Sequence, residues 1–158
     1  MSGHSVKPAR GMWFEDFAEG MLMHSPGRTI CEADIMTFGG LTGDLYELHT
    51  NEDYARTTEF GTRIAHGMLG LSIMHGLICR TGHVDGTGVA MIGSDKIRHR
   101  LPILIGDTVH TRWKIVARRD SRSRPDAGIV IEFLELVNQR GETVLQGEYT
   151  SMVRKRPA

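Results

Sequence analysis

Cysteine is almost absent from this chain: two among 158 residues, Cys31 and Cys79. Two cysteines so placed form neither a metal-ligand spacing nor a disulfide framework, so a hydrophobic core must hold the protein together. Each reads as a small buried side chain. An excess of one charge is also missing, since 19 basic and 19 acidic residues cancel to a formal net charge of zero. That argues against nucleic-acid binding through bulk positive charge. No apolar run approaches the ~20 residues of a membrane-spanning helix. No basic-then-apolar leader opens the chain. No Gly-rich phosphate loop and no metal constellation is present. The expectation is a cytoplasmic protein with no membrane segment, no metal and no redox cofactor. With 40% hydrophobic and 24% charged residues the composition is ordinary for a globular protein, and the length suits one domain. Residues 1–11 read as a loose N-terminus and 12–155 as the folded domain.

The informative stretch runs from Gly39 to Cys79. It holds Asp44 and His49, a carboxylate and an imidazole, which are usual partners for moving protons near neutral pH. On one helix, residues five apart stand about 140° from each other and share no face. For both to reach one atom the segment between them must turn, and Gly43 supplies a place to turn. Spacing alone equally fits a loop turn and a surface histidine.

A Gly-spaced apolar helix follows, with Ile64, Leu69, Leu71, Ile73, Met74, Leu77 and Ile78 placed almost all round it, a pattern that predicts deep burial. Gly67, Gly70 and Gly76 each disfavour a helix interior by roughly 0.8–1 kcal/mol relative to Ala. They read as packing positions at Gly70 and Gly76. Gly67 lies near the helix start, where backbone amides lack helical partners and suit a developing oxyanion. The helix is expected to begin between Thr62 and His66, with His66 structural and His75 a core or interface histidine.

Gly43-Asp44, Leu48-His49, Tyr54-Ala55 and Ala65-His66-Gly67-Met68-Leu69 together resemble the MaoC-like (R)-specific enoyl-CoA hydratase family. The likeness runs from about Trp13 to Arg154, with Phe14-Glu15-Asp16-Phe17 upstream and Pro102 and Gly106-Asp107-Thr108-Val109 downstream. It implies the hotdog fold, a long central helix wrapped by an antiparallel sheet. It also implies Asp44 and His49 as the acid/base pair, the Gly67 amide as oxyanion donor, and Ser72 at a polar position lining the site. Ser72 on a helix can equally bond its own i−4 carbonyl. The family signature is Gly-Asp-x-Asn-Pro-(Leu/Ile)-His, and here Tyr46 and Glu47 replace Asn and Pro. That departure bears on the shape of the turn and on the substrate. Both residues are candidates for a polar acyl pocket, with solvent the default for Glu47.

The rest of the chain predicts an α+β protein. A first strand spans Met21 to Ile30, interrupted at Pro26-Gly27. Thr29-x-x-Glu32 reads as a capping box opening a helix that ends near Gly43. Thr50-x-x-Asp53 opens a short one from Glu52 to Thr57. Strands follow around Val89–Ile97, Val109–Ala117, Ile129–Val137 and Val144–Val153, with Ile129, Ile131, Phe133 and Val137 as the apolar phase of the third. So long a sheet calls for a second copy, hence a homodimer. Arg63, Lys96 and Arg98 are candidates for the phosphates of coenzyme A or an acyl carrier protein, against a simpler reading as solvated charges; Arg118, Arg119, Arg122 and Arg124 fill a hairpin. The expected activity is reversible hydration of a 2-enoyl thioester. The alternatives are acyl-CoA hydrolysis on the same fold, and a non-catalytic thioester-binding subunit.

Overall fold

The alternating run from Val109 to Ala117 becomes the strand on which the sheet is built. In the computed structural model, which describes residues 8–157, the sheet contains β1 (Leu22–His24), β2 (Arg28–Thr29), β3 (Gly88–His99), β4 (Thr108–Asp120), β5 (Ala127–Val137) and β6 (Thr143–Arg154). The strand order is β1-β4-β5-β6-β3, with β2 also paired to β4, and every pairing is antiparallel. Among the described residues a 3-10 turn (Phe14–Asp16) and four α-helices precede β3: α1 (Glu32–Thr42), α2 (Glu47–Thr50), α3 (Glu52–Arg56) and α4 (Gly67–Cys79). The expected first strand is split at Ser25-Pro26-Gly27, as the Pro-Gly pair predicts.

Helix α4 packs Leu69, Ile73, Met74, Leu77 and Ile78 onto Val109, Trp113, Ile115, Leu134, Leu136 and Leu145. Thr111 is fully buried and donates its hydroxyl to the Met74 carbonyl at 3.1 Å, fixing helix to sheet. This is the hotdog arrangement. The helix is not buried all round, because Met68 is 60% exposed and Ser72 and Cys79 also face outward. Cys31 is exposed too, so neither cysteine is the buried side chain its scarcity suggested. Gly70 is a packing position, since a β-carbon there would lie 2.7 Å from Ile103 Cδ1. Gly76 is not, having no atom within 4 Å of such a β-carbon.

On β5 the predicted phase holds only at its ends, where Ile129 and Val137 are buried, and fails in the middle. Val130, Glu132, Leu134 and Leu136 face the core, while Ile131 and Phe133 are half-buried on the other side. A buried carboxylate broke the apolar rhythm: Glu132 is 3% exposed, with His83 Nε2 3.8 Å from its Oε1.

The caps also moved. Helix α1 starts from Cys31, whose amide donates to the Asp34 carboxylate at 2.9 Å, because Thr29 is taken into β2 and meets Thr108. Helix α3 is capped by Asn51, which accepts from the Asp53 and Tyr54 amides at 3.1 and 3.2 Å. Residues 1–7 of the expected loose terminus lie outside the described residues. The remainder is docked: the Gly11 amide donates to Gly82 at 2.9 Å and the Met12 amide to His83 at 2.6 Å. No helix among the described residues is long and apolar enough to cross a membrane.

Candidate active site

Gly43 ends α1 in the left-handed region at φ 80°, which frees the chain to reverse. Asp44 to Tyr46 then run without helix, and α2 is a single turn that carries His49 inward. The turn that the Asp44–His49 spacing demands is therefore a left-handed cap followed by one helical turn. His49 is 9% exposed.

Three contacts fix the pair. His49 Nδ1 lies 2.8 Å from the Ile64 carbonyl oxygen. A carbonyl only accepts, so Nδ1 carries the hydrogen and Nε2 is left with its lone pair in the neutral ring. His66, the N-cap residue of α4, has Nε2 2.9 Å from the Asp44 carbonyl oxygen, so its Nε2 donates and ties the Asp44 backbone to the helix. The two imidazoles stack with centroids 3.9 Å apart and planes inclined by 32°. Ligating atoms of Asp44, His49 and His66 all lie within 4.8 Å of one another. Lone pairs of ring nitrogens lie in the ring planes, so stacked rings point side by side. A metal held at ~2.0–2.1 Å from both nitrogens needs those lone pairs to converge. The group is better suited to holding a water and a proton.

A cavity of about 330 Å³ opens beside this cluster, lined by His49, Phe60, Ile64, Gly67, His99 and Ile103 among others. Gly67 is the first residue of α4, and among the described residues no acceptor meets its amide. His49 and an unengaged helix-start amide thus share one cavity wall. A β-carbon at Gly67 would lie 2.8 Å from His99 Cε1, so only glycine lets that ring approach.

The other sequence candidates are placed differently. Tyr46 caps α2 and its hydroxyl bonds that of Tyr54 at 2.8 Å, which raises the Tyr54 phenol above its ordinary value. Glu47 is exposed and accepts from the Asn51 amide at 3.0 Å, its default role. Ser72 does not reach this cavity; it donates to the Met68 carbonyl at 2.9 Å, the i−4 bond a helical serine favours. Arg63 is not free for phosphate. It grips both oxygens of Glu32 at 2.6 and 2.7 Å and Glu52 at 3.1 Å, and the Glu32 contact foremost raises its already high pKa. Those bonds lock α1 to α3 and frame the loop that carries Asp44 and His49. Lys96 is paired with Glu148 at 2.8 Å, and Arg98 turns back to its neighbour's carbonyl, Ile97, at 2.8 Å. A register shift between Asp95 and Arg98 interrupts the β3–β6 ladder at this point. Sequence reasoning passed over His66 as a member of the cluster, although Ala65-His66-Gly67 was in view. It gave no signal for His99, which arrives from a strand end far along the chain.

A family model for the MaoC-like domain matches residues 14–131. The chain is 34% identical over 144 residues to an (R)-specific enoyl-CoA hydratase of Rhodospirillum rubrum, covering 91% of this chain and 93% of that one. A MaoC-like dehydratase structure from Rhodospirillum rubrum superposes with a TM-score of 0.84 at 30% identity, over 94% of this chain and all of that one. A structure described as a monoamine oxidase regulatory protein from Archaeoglobus superposes with a TM-score of 0.86 at 35% identity, over 96% and 100%. With its cap-and-turn Asp44–His49 arrangement at the start of a hotdog helix, and with this match over most of its length, the chain belongs to the MaoC-like domain family.

Proposed function

We propose that the protein catalyses reversible hydration of a trans-2-enoyl thioester, carried on coenzyme A or acyl carrier protein, to the (R)-3-hydroxyacyl thioester. The observation that carries this is that His49 and the unengaged Gly67 amide share one cavity, with a carboxylate oxygen of Asp44 within 4.8 Å of the His49 ring beside it. The relatives named as hydratases and dehydratases agree with it. One water sits between the Asp44 carboxylate and His49 Nε2, both of which accept its hydrogens. Asp44 takes a proton as the water oxygen bonds to the β-carbon. The electron pair of the double bond moves toward the thioester carbonyl, whose oxygen gathers negative charge against the Gly67 amide. The proton taken by Asp44 is then delivered to the α-carbon, by Asp44 itself or through His49, which completes the addition of H and OH. Dehydration runs through the same atoms in reverse. Substrate and water balance the reaction, so no oxidant or reductant is consumed.

The protein works as a homodimer in this reading. Strand β3 is a 12-residue sheet edge with Met91 44% and Ile92 53% exposed, and Met68 of α4 is also exposed. A second copy buries such apolar surface.

The test is to mix the protein with crotonyl-CoA and follow loss of enoyl absorbance alongside release of free thiol. Enoyl loss without thiol supports hydration, and thiol release in its place means hydrolysis. Asp44→Asn is expected to slow hydration ~10²–10⁴-fold, the usual contribution of a positioned acid or base. An unchanged rate removes Asp44 from the mechanism.

A further inference from the structure

We infer that a small chamber at the C-terminal half of α4 is a binding site for ordered water, held between the carboxylate of Glu132 and the imidazole of His83. The chamber has a volume of about 50 Å³ and is lined by Phe17, His75, His83, Glu132 and Tyr149 among others. It shares no lining residue with the cavity at His49 and Gly67. Glu132 enters it from the core face of β5, directly across from Tyr149 of β6. It is 3% exposed, and among the described residues no donor bonds either of its carboxylate oxygens. His83 Nε2 stands 3.8 Å from Oε1, too far for a direct hydrogen bond. A carboxyl group taken out of water, charged or neutral, needs a hydrogen-bond partner, so the chamber must supply one.

The state of His83 says what that partner is. The Thr81 hydroxyl donates to the Ile78 carbonyl at 2.7 Å, which commits its hydrogen. At 3.1 Å from His83 Nδ1 the same oxygen can only accept, so Nδ1 carries a hydrogen. In the neutral ring Nε2 then turns a lone pair toward Glu132, and two acceptors face each other. A water between them donates one hydrogen to each. Two atoms 3.8 Å apart can both lie about 2.8 Å from one oxygen, a normal hydrogen-bond length, and are seen from it about 85° apart. When the imidazole is charged, the same water accepts from Nε2 and donates to Glu132, so the site serves either protonation state. His75 also lines the chamber, and its Nδ1 is buried without a partner. It offers a third contact, within the roughly two to four that a buried water keeps. The room suffices, since one water needs only ~10–15 Å³. The water also ties β5 to the turn after α4, where the His83 carbonyl holds the Met12 amide at 2.6 Å.

The test is a crystal structure of the parent, grown without ammonium salts, at a resolution that shows ordered water. A density peak is expected within ~2.6–3.2 Å of both the Glu132 carboxylate and His83 Nε2. The same peak is expected in Glu132→Gln, whose amide oxygen still accepts. Its loss is expected in Glu132→Leu, whose side chain has nothing to bond. The parent structure decides the main point by itself, so poor folding of the Leu variant leaves the test intact. An empty space between the two residues, a direct Glu132–His83 bond, or a peak that survives in Glu132→Leu overturns the assignment. So does a peak that forms only when ammonium is supplied, because the occupant is then a cation.

Discussion

Replacing Gly67 by alanine separates chemistry from stability at one position. The added methyl carbon would stand 2.8 Å from His99 Cε1 and 3.2 Å from both ring nitrogens. Carbon atoms pack at ~3.5–4.0 Å, so the ring must retreat by close to 1 Å. His99 is exposed and ends its strand, so it can rotate away without disturbing the core. Alanine also favours a helix over glycine by up to ~1 kcal/mol, though less at a first position than in an interior. The two effects oppose each other, and the unfolding free energy is expected to change by less than ~1 kcal/mol. Activity is a different matter, because a misplacement of ~1 Å at a reacting centre can lower a rate ~10²-fold. The methyl group also intrudes beside the amide that faces the cavity. Gly67→Ala should therefore keep its urea midpoint and lose about 10²-fold in kcat/KM on crotonyl-CoA. In a His99→Ala background the methyl has room, so its further effect should shrink, a non-additivity that a double-mutant cycle measures. A Gly67→Ala protein within about threefold of the parent would falsify the claim that this amide meets the substrate. Loss of folding would refute the steric argument instead.

Gly128→Ala should do the reverse, since a β-carbon there would overlap the ring of Phe14, which is only 7% exposed and stacked under Arg118. Overpacking of this kind destabilises by ~1–3 kcal/mol, to be read from urea unfolding, and a midpoint unchanged from the parent would contradict it. Arg63→Met should lower the unfolding midpoint by less than Gly128→Ala does and leave KM for the CoA thioester as it was, because the guanidinium is engaged by Glu32 and Glu52. A rise in KM alone would return Arg63 to the substrate.

Asp107 sets part of the acid limb of stability. Burial pushes its carboxyl up, but the Leu104 amide at 2.9 Å, the Gln139 amide at 2.8 Å and Arg140 at 3.1 Å outweigh that and hold it below 3.8. A carboxyl lowered by folding stabilises fully above its unfolded value, and the benefit fades as pH falls from there through the lower folded value. Urea midpoints measured from pH 7 downward should fall less steeply below pH ~4 in Asp107→Asn than in the parent. Parallel slopes would rule this out.

The sequence by itself determined the fold class, the helix with glycine at its start, and the acid/base candidates. These are local matters: a 3.6-residue period in α4, a two-residue period in β4, and a glycine that lets Asp44 and His49 bend toward each other. The family motif added the hotdog. Tertiary structure decided everything that depends on which partner is nearest. Thr29 lost its cap to β2 because strand pairing with β4 engages it first. Arg63 was consumed by Glu32 and Glu52, since α1 and α3 bring two carboxylates to one guanidinium. The apolar phase of β5 hid behind Glu132, a charge buried beside His83 from another part of the chain. His99 reached Gly67 only because β3 runs back along the sheet to the start of α4. Periodicity reports what a residue prefers, whereas a contact across the sheet depends on where the chain returns.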